Sequence, residues 1–278
     1  MIGAAETNRG ARLWLNGVEV EVYRTGAFLA MVKTAPGTNT ITLVQGADTL
    51  VRSFVVSAES TPEANAASSR QRNPYADLGI PSNVVYAARP PLGSRPGDVH
   101  VMVDAGHGGA DSGALSPHGL KEKDFNLAQA KSIAAALKKA GFKVTMTRTG
   151  DTFPALYDRP RLAVRKKADV FISVHHNATG AGGNPREARH TVTYAWNDAG
   201  LALAAAVQKH VAEAVRPVRN DGAKWRSFAV CRNPAVPSCL IEVDFINLPE
   251  GEEAASDPVR REGVSRAVVL GLLDWLSG

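Results

Sequence analysis

Three apolar, strand-like segments of this chain each run into a residue able to bind a metal or move a proton. Val99–Val103 leads into Asp104-Ala105-Gly106-His107-Gly108-Gly109, Val170–Val174 into His175-His176-Asn177, and Cys239–Ile241 meets Glu242. In open α/β sheets, ligands bind beyond the carboxyl ends of the strands, so His107, His175 and Glu242 are candidates for one crevice. The glycines around His107 let the loop bend sharply and let a substrate approach the backbone. A catalytic zinc centre takes three protein ligands from histidine and carboxylate and keeps one position open. His107 and His175 supply two. Glu122 fits as the third, because it lies just ahead of the helical pattern after the His107 loop, near the positive end of that helix. Asp104 and Asp111 are rivals that spacing leaves open. Each residue also has a plainer reading. A strand-end histidine is commonly just hydrogen-bonded, and Lys121-Glu122-Lys123-Asp124 could be a solvated charge cluster. His118, His190 and His210 read as structural or exposed. His176 points opposite to its neighbour His175 in a strand, which makes it a contact behind the ligands or with substrate. The residues by themselves stop at a metal hydrolase.

The elements that must position these groups follow from apolar periodicity. Strands are expected at Val99–Val103, Phe142–Thr147, Val170–Val174, Thr191–Trp196, Phe228–Cys231 and Cys239–Val243. Between them, Leu127, Ala130, Ala134 and Leu137 recur at helical spacing, with Gly141 at the end. A second helix spans about Asp158 to Lys167, with Pro160 tolerated in its first turn. A third opens at Asn197 or Asp198 and runs through Ala204, Val207, Val211 and Ala214. Ser256-Asp257-Pro258 opens the last, which carries Val264, Val268, Leu272 and Trp275 on one face. This alternation predicts an α/β domain over 98–278, a mostly parallel twisted sheet with helices on both faces. Residues 10–57 read as a small all-β module, with an Asn16-Gly17 hairpin and turns at Pro36-Gly37 and Gly46-Ala47-Asp48. Its roughly five strands suggest a partial Ig-like sandwich. Residues 58–97 read as a Pro/Ser-rich linker with one docked stretch near Leu78–Tyr86.

Composition sets outer bounds. With 278 residues, 44% hydrophobic and 21% charged, the chain can build a core that holds a preformed site. The net charge of +5 is scattered, which suits a polyanion such as a cell wall or nucleic acid without choosing between them. Two cysteines, Cys231 and Cys239, exclude a disulfide-rich scaffold and a four-cysteine zinc site. They read as small buried thiols flanking a strand, pairing in an oxidising compartment being the alternative. No run approaches the ~18 apolar residues of a membrane span. The first thirty residues lack a basic start, apolar run and cleavage site.

Several ordered segments carry a resemblance. Val103–Gly109, Gly119–Leu127, Thr147-Arg148-Thr149, Ala168–Ala178 and Leu240-Ile241-Glu242-Val243 together are similar to the zinc N-acetylmuramoyl-L-alanine amidases of the cell-separation and sporulation type. The likeness covers about Asp98 to Gly278. It implies that His107, Glu122 and His175 bind one Zn2+ and that Glu242 is catalytic. The implied reaction is cleavage of the amide between N-acetylmuramic acid and L-alanine in peptidoglycan. Arg159, with a structural or substrate role, His176 and Asn177 are then expected at the substrate. Ala105 stands where the family often has proline, and His176 where it usually has a small or apolar residue. Some members insert an inhibitory helix over the zinc; the short, glycine-rich stretch from Asn177 to Thr191 predicts none here. The implied setting is the bacterial envelope, periplasmic or secreted, with a leader peptide taken to be absent from this sequence. Peptidoglycan is the expected partner, with no nucleic acid and no integral membrane segment, and the chain is expected to be a monomer. A zinc peptidase or deacetylase acting on peptidoglycan is the first alternative. A non-catalytic wall-binding protein is the second, although such a protein should have lost one of the four site residues.

Overall fold

The chain divides into two units, residues 1–91 and 92–278. The structure is a computed structural model that describes residues 12–20, 37–45, 47–56, 90 and 92–278 apart from 181 and 234. Among the described residues, the first unit holds strands β1 (Leu13–Leu15), β2 (Val18–Val20), β3 (Gly37–Gln45) and β4 (Asp48–Val56). They form one antiparallel sheet in the order β2-β1-β3-β4. Asn16 and Gly17 link β1 to β2 with φ of 50° and 80°, the positive values that a two-residue hairpin turn requires. Leu13 and Leu15 of β1 and Ile41 and Leu43 of β3 are buried, as period-two alternation expects. The docked stretch expected near Leu78–Tyr86 lies outside the described residues.

The second unit carries a six-stranded sheet of β5 (His100–Ala105), β6 (Lys143–Met146), β7 (Val170–Asn177), β8 (His190–Ala195), β9 (Arg219–Trp225) and β10 (Ser238–Phe245). Its order is β6-β5-β7-β10-β8-β9. Every neighbouring pair is parallel except β10 with β8. The helices are α1 (Glu122–Lys139), α2 (Asp158–Arg165), the single turn α3 (Pro185–Ala188), α4 (Asp198–Ala214), α5 (Pro249–Ser256) and α6 (Pro258–Ser277).

The sheet is apolar on both faces, as central parallel strands are. On one face, Val101, Val103, Ile172, Val174, Cys239 and Ile241 pack against α1, α4 and α6. The intervening residues Met102, Phe171 and Leu240 face a smaller core with Ala163 of α2 and Val230, Cys231 and Val236. Helix α1 presents Ala130, Ala134 and Leu137 to the larger core, and α6 presents Val264, Val268, Leu272 and Trp275. Asn197 caps α4 by accepting from Gly200 N at 2.8 Å, and Asp257 caps α6 by accepting from Val259 N at 2.8 Å. The helices at the two ends of the apolar patterns thus start where their cap residues stand.

One expectation is corrected, and two elements, β9 and α5, escaped the sequence pattern. Phe228–Cys231 is a turn, closed by Cys231 N donating to Phe228 O at 3.0 Å, and not a strand. The strand in that region is β9, whose sequence Arg-Asn-Asp-Gly-Ala-Lys-Trp has no apolar alternation. It lies at the sheet edge, pairs with β8 alone and so has little to bury. Helix α5 has only Gly251 and Glu252 buried, so it shows no apolar stripe by which periodicity could find it.

Cys231 and Cys239 are both buried and unpaired. Cys239 belongs to the larger core and Cys231 to the smaller, on opposite faces of the sheet. Burial pushes both thiols well above their ordinary range. We predict that the native protein leaves an aromatic disulfide reagent unreduced for hours at pH 8, and that denaturant exposes both thiols at once. Rapid reaction of either thiol in the native protein would contradict this packing.

Candidate metal centre

His107 stands on the loop after β5 with φ of 58°, and close packing dictates the glycines around it. A Cβ on Gly106 would lie 2.2 Å from the His175 ring, and one on Gly113 would lie 2.5 Å from Glu122 Oε2 and 2.7 Å from His107. Neither position can carry a side chain without displacing these groups. Two buried guanidiniums hold the loop from behind. Arg159 of α2 donates to Asp104 Oδ1 at 2.9 Å, to Ala105 O at 2.7 Å and to His107 O at 2.7 Å. Arg148 donates to Ala105 O at 2.9 Å, and through Nη2 to Gly106 O and Lys123 O at 2.8 Å each. Lys123, also buried, donates to Gly109 O at 2.8 Å and to Asp151 Oδ2 at 2.6 Å.

The two rival carboxylates have other work. Asp104 is fully buried and accepts from Thr147 Oγ1 at 2.6 Å, from Ser173 Oγ at 2.7 Å and from Arg159. Asp111 Oδ2 lies 2.8 Å from His107 Nδ1, while its Oδ1 accepts from Gly113 N at 3.1 Å. That contact fixes the ring so that Nε2 faces Glu122.

Glu122 opens α1 and turns its carboxylate back over the strand ends. Its Oε1 is 3.1 Å from His107 Nε2 and 3.1 Å from His175 Nδ1, and its Oε2 accepts from Ala114 N at 3.0 Å. One ligand-type atom from each of His107, Glu122 and His175 lies within 4.8 Å of the others. The two histidine rings meet edge to face at 4.9 Å between centroids. Burial opposes the charge on Glu122, but the hydrogen bonds and charges of both histidines overcome it and hold the carboxyl far below the usual range. Burial likewise lowers His107, yet Glu122 and Asp111 together raise it to about 9. The cluster is therefore a tight set of one carboxylate between two cation-accepting rings.

Glu242 reaches the same place from β10. It pairs side by side with His175 in the parallel register of β10 and β7, so the two side chains stand on one face of the sheet. Its Oε2 is buried and, among the described residues, meets no hydrogen-bond partner. Burial pushes this carboxyl up to about 7, opposed by His175 and His107 and reinforced by the charge of Glu122. A carboxyl with a titration point near neutrality beside a metal-type cluster is suited to accept and return a proton.

Three further residues were expected at the substrate. Arg159 is 3% exposed, and its guanidinium is committed to the β5 loop and to Pro154 O. His176 is also 3% exposed, lies on the opposite face of β7 from His175, and has Nδ1 2.9 Å from Asn126 Oδ1. Burial drives its pKa down to about 4. Asn177, at the end of β7, is half-buried, and its Oδ1 accepts from Ala178 N at 2.8 Å. Sequence reasoning missed the parts played by Arg148, Lys123 and Asn126. A lysine in the first turn of a helix, where the dipole disfavours it, was the one local hint that Lys123 has a partner elsewhere.

The Arg159 clamp carries a prediction. Arg159→Met would leave the Asp104 carboxylate buried without its cation, a loss of about 3–5 kcal/mol. Denaturant unfolding should show it, and adding Asp104→Asn should recover part of the loss. An Arg159→Met chain as stable as the parent would mean the clamp is ornamental.

Comparison with known proteins gives the family. The model of the N-acetylmuramoyl-L-alanine amidase family matches residues 101–274. The chain is 28% identical over 221 residues to N-acetylmuramoyl-L-alanine amidase AmiA of Salmonella typhimurium, covering 63% of this chain and 75% of that protein. It is 30% identical over 205 residues to the probable cell wall amidase LytH of Staphylococcus epidermidis, covering 73% of this chain and 65% of that one. Among solved structures, the amidase AmiC2 of Nostoc punctiforme superposes with a TM-score of 0.61 at 31% identity, over 66% of this chain and 99% of that chain. An amidase of Clostridium difficile 630 gives 0.61 at 34% identity over the same shares. With the matched segment running from β5 into α6 and containing His107, Glu122, His175 and Glu242, this chain belongs to the N-acetylmuramoyl-L-alanine amidase family of enzymes.

Proposed function

We propose that this chain is a zinc-dependent amidase that cuts the bond between N-acetylmuramic acid and L-alanine in peptidoglycan. The observation that carries the zinc reading is the convergence of His107, Glu122 and His175 within 4.8 Å, with Glu242 beside them on the neighbouring strand. Two imidazole nitrogens and one carboxylate oxygen are the donor set of a catalytic zinc centre, and their spacing fits a common ion. His107, Glu122 and His175 would hold it. When bound, zinc supplies Lewis-acid polarisation of a carbonyl oxygen and acidifies water.

The chain's own residues do the rest. Glu242 accepts the proton of the attacking water as the new carbon–oxygen bond forms at the lactyl carbonyl. It then returns that proton to the L-alanine nitrogen as the carbon–nitrogen bond breaks, which leaves a carboxylic acid on the glycan and a free amine on the peptide. Asp111 orients His107, and Arg148 and Arg159 hold the loop on which His107 stands. Asn177, two residues beyond His175, is the proposed substrate contact. In this reading, residues 98–278 form the catalytic domain, 10–57 a small β module and 58–97 a linker. The setting is the bacterial cell envelope, and no helix among the described residues is long and apolar enough to cross a membrane.

Digestion of purified sacculi tests the reaction. Mass spectrometry should find free stem peptides and intact glycan chains, and 1,10-phenanthroline should stop their release until zinc is restored. Released acetate or cut cross-links without free stem peptides would instead establish a deacetylase or peptidase. Binding without turnover would establish a wall-binding protein, a reading that the presence of all four site residues disfavours.

A further inference from the structure

Behind the Glu122 carboxylate two buried polar side chains stand in line. Asn126, one helical turn after Glu122, donates its amide to Glu122 Oε1 at 2.9 Å. His176 Nδ1 lies 2.9 Å from Asn126 Oδ1. Glu122 is 5% exposed, Asn126 not at all and His176 3%, so the line is closed to bulk water. The polarity of the line follows from its end. An ionised carboxylate only accepts, so the Asn126 NH2 must face Glu122 and its carbonyl must face His176. His176 Nδ1 therefore carries a proton and donates it. The backbone N–H of His176 also points at Glu122 Oε1, at 3.4 Å. On its other side the imidazole packs on the Phe125 ring, 5.9 Å between centroids.

We propose that His176 is a positioning residue for Glu122: it holds the Asn126 amide in one orientation, and through it keeps the carboxylate aimed at the cation site. This inference rests on the zinc reading and extends it to a residue on the opposite face of the strand from His175. An imidazole that merely filled space would need no fixed tautomer and no particular donor.

The test separates donor from bulk. His176→Asn keeps an N–H donor near the place of Nδ1 and loses the ring, whereas His176→Phe keeps the ring's volume and loses the donor. Zinc dissociation constants come from chelator competition, and the intensity of the visible bands of the Co2+-loaded protein reports ligand geometry. We expect His176→Phe to bind zinc about 10- to 100-fold more weakly with altered cobalt bands, and His176→Asn to stay within about threefold of the parent. Equal weakening in both variants, or none in His176→Phe, would overturn the proposal. Nitrogen NMR of the metal-free parent gives a reading that needs no variant. It should show the Nδ1–H tautomer at His176, and an Nε2–H tautomer would refute the line of donors. Failure of the parent to bind zinc would overturn the metal reading itself, a result distinct from any difference between the variants.

Discussion

Replacing Glu242 by glutamine should abolish turnover while leaving the metal in place. Glu242 is not among the three clustered residues, and among the described residues its Oε2 has no partner to compensate for losing the charge. General acid–base groups contribute about 10²–10⁴ in rate, so the release of stem peptides from sacculi should fall by roughly that factor. Zinc content should remain near that of the parent. A zinc-free Glu242→Gln protein would mean that its role and that of Glu122 are exchanged. The same substitution should make the metal-free protein more stable at neutral and alkaline pH. Burial raises the Glu242 carboxyl from 4.5 to about 7, so the folded state holds this proton more tightly than the unfolded state does. Its contribution to stability is therefore present below pH 4.5 and lost as pH rises through 7. Glutamine is uncharged throughout. The stability advantage of the variant over the parent should grow between pH 4.5 and 7 and level off at roughly 3 kcal/mol, each tenfold difference in proton affinity being worth about 1.4 kcal/mol. Parallel unfolding curves at every pH would contradict the burial of this carboxyl.

Replacing Glu122 by alanine should remove both metal and activity. Its Oε1 faces both histidines and Asn126, and its Oε2 accepts from Ala114 N, so one substitution orphans groups from β7, α1 and the loop between β5 and α1. His107→Ala or His175→Ala should also lose both, each removing one of three ligands. The expected reading is zinc well below one ion per chain after dialysis, and a rate loss of at least about 10³. The two classes of variant are thus told apart by metal analysis alone: Glu242→Gln retains the ion, Glu122→Ala does not. Full activity in a zinc-free Glu122→Ala protein would end the metal reading.

Much of this site was legible before the fold was known, for a physical reason. His107, His175 and Glu242 each follow an apolar strand, and parallel strands in one sheet bring such ends to one edge. The residues also announced the α/β architecture, since its central strands are apolar in both directions and its long helices have clear stripes. What spacing could not do was choose among Glu122, Asp104 and Asp111. Asp104 looks like a ligand from its position. Its true partners, Thr147, Arg159 and Ser173, lie 43, 55 and 69 residues away, beyond any local pattern. Only the resemblance singled out Glu122. For Arg159 and His176 the side chains' burial, and not their identity, bears on the expected substrate contact; that burial depends on α1 and α2 packing over the strand ends. Strand β9 was invisible because an edge strand with solvent on one side needs no apolar code.

The two margins of the large sheet bear on what neighbouring molecules can add to it. One margin is β6, only four residues long; the other is β9, with Arg219, Asp221 and Lys224, a glycine at φ 77° and a register shift against β8. Free backbone groups along a flat, apolar border would recruit the strands of neighbouring molecules. Here one border is short and the other charged and kinked, so the apolar ribbons β5, β7 and β10 are shut inside. The large sheet thus offers neighbouring molecules no long apolar border on which to add a strand.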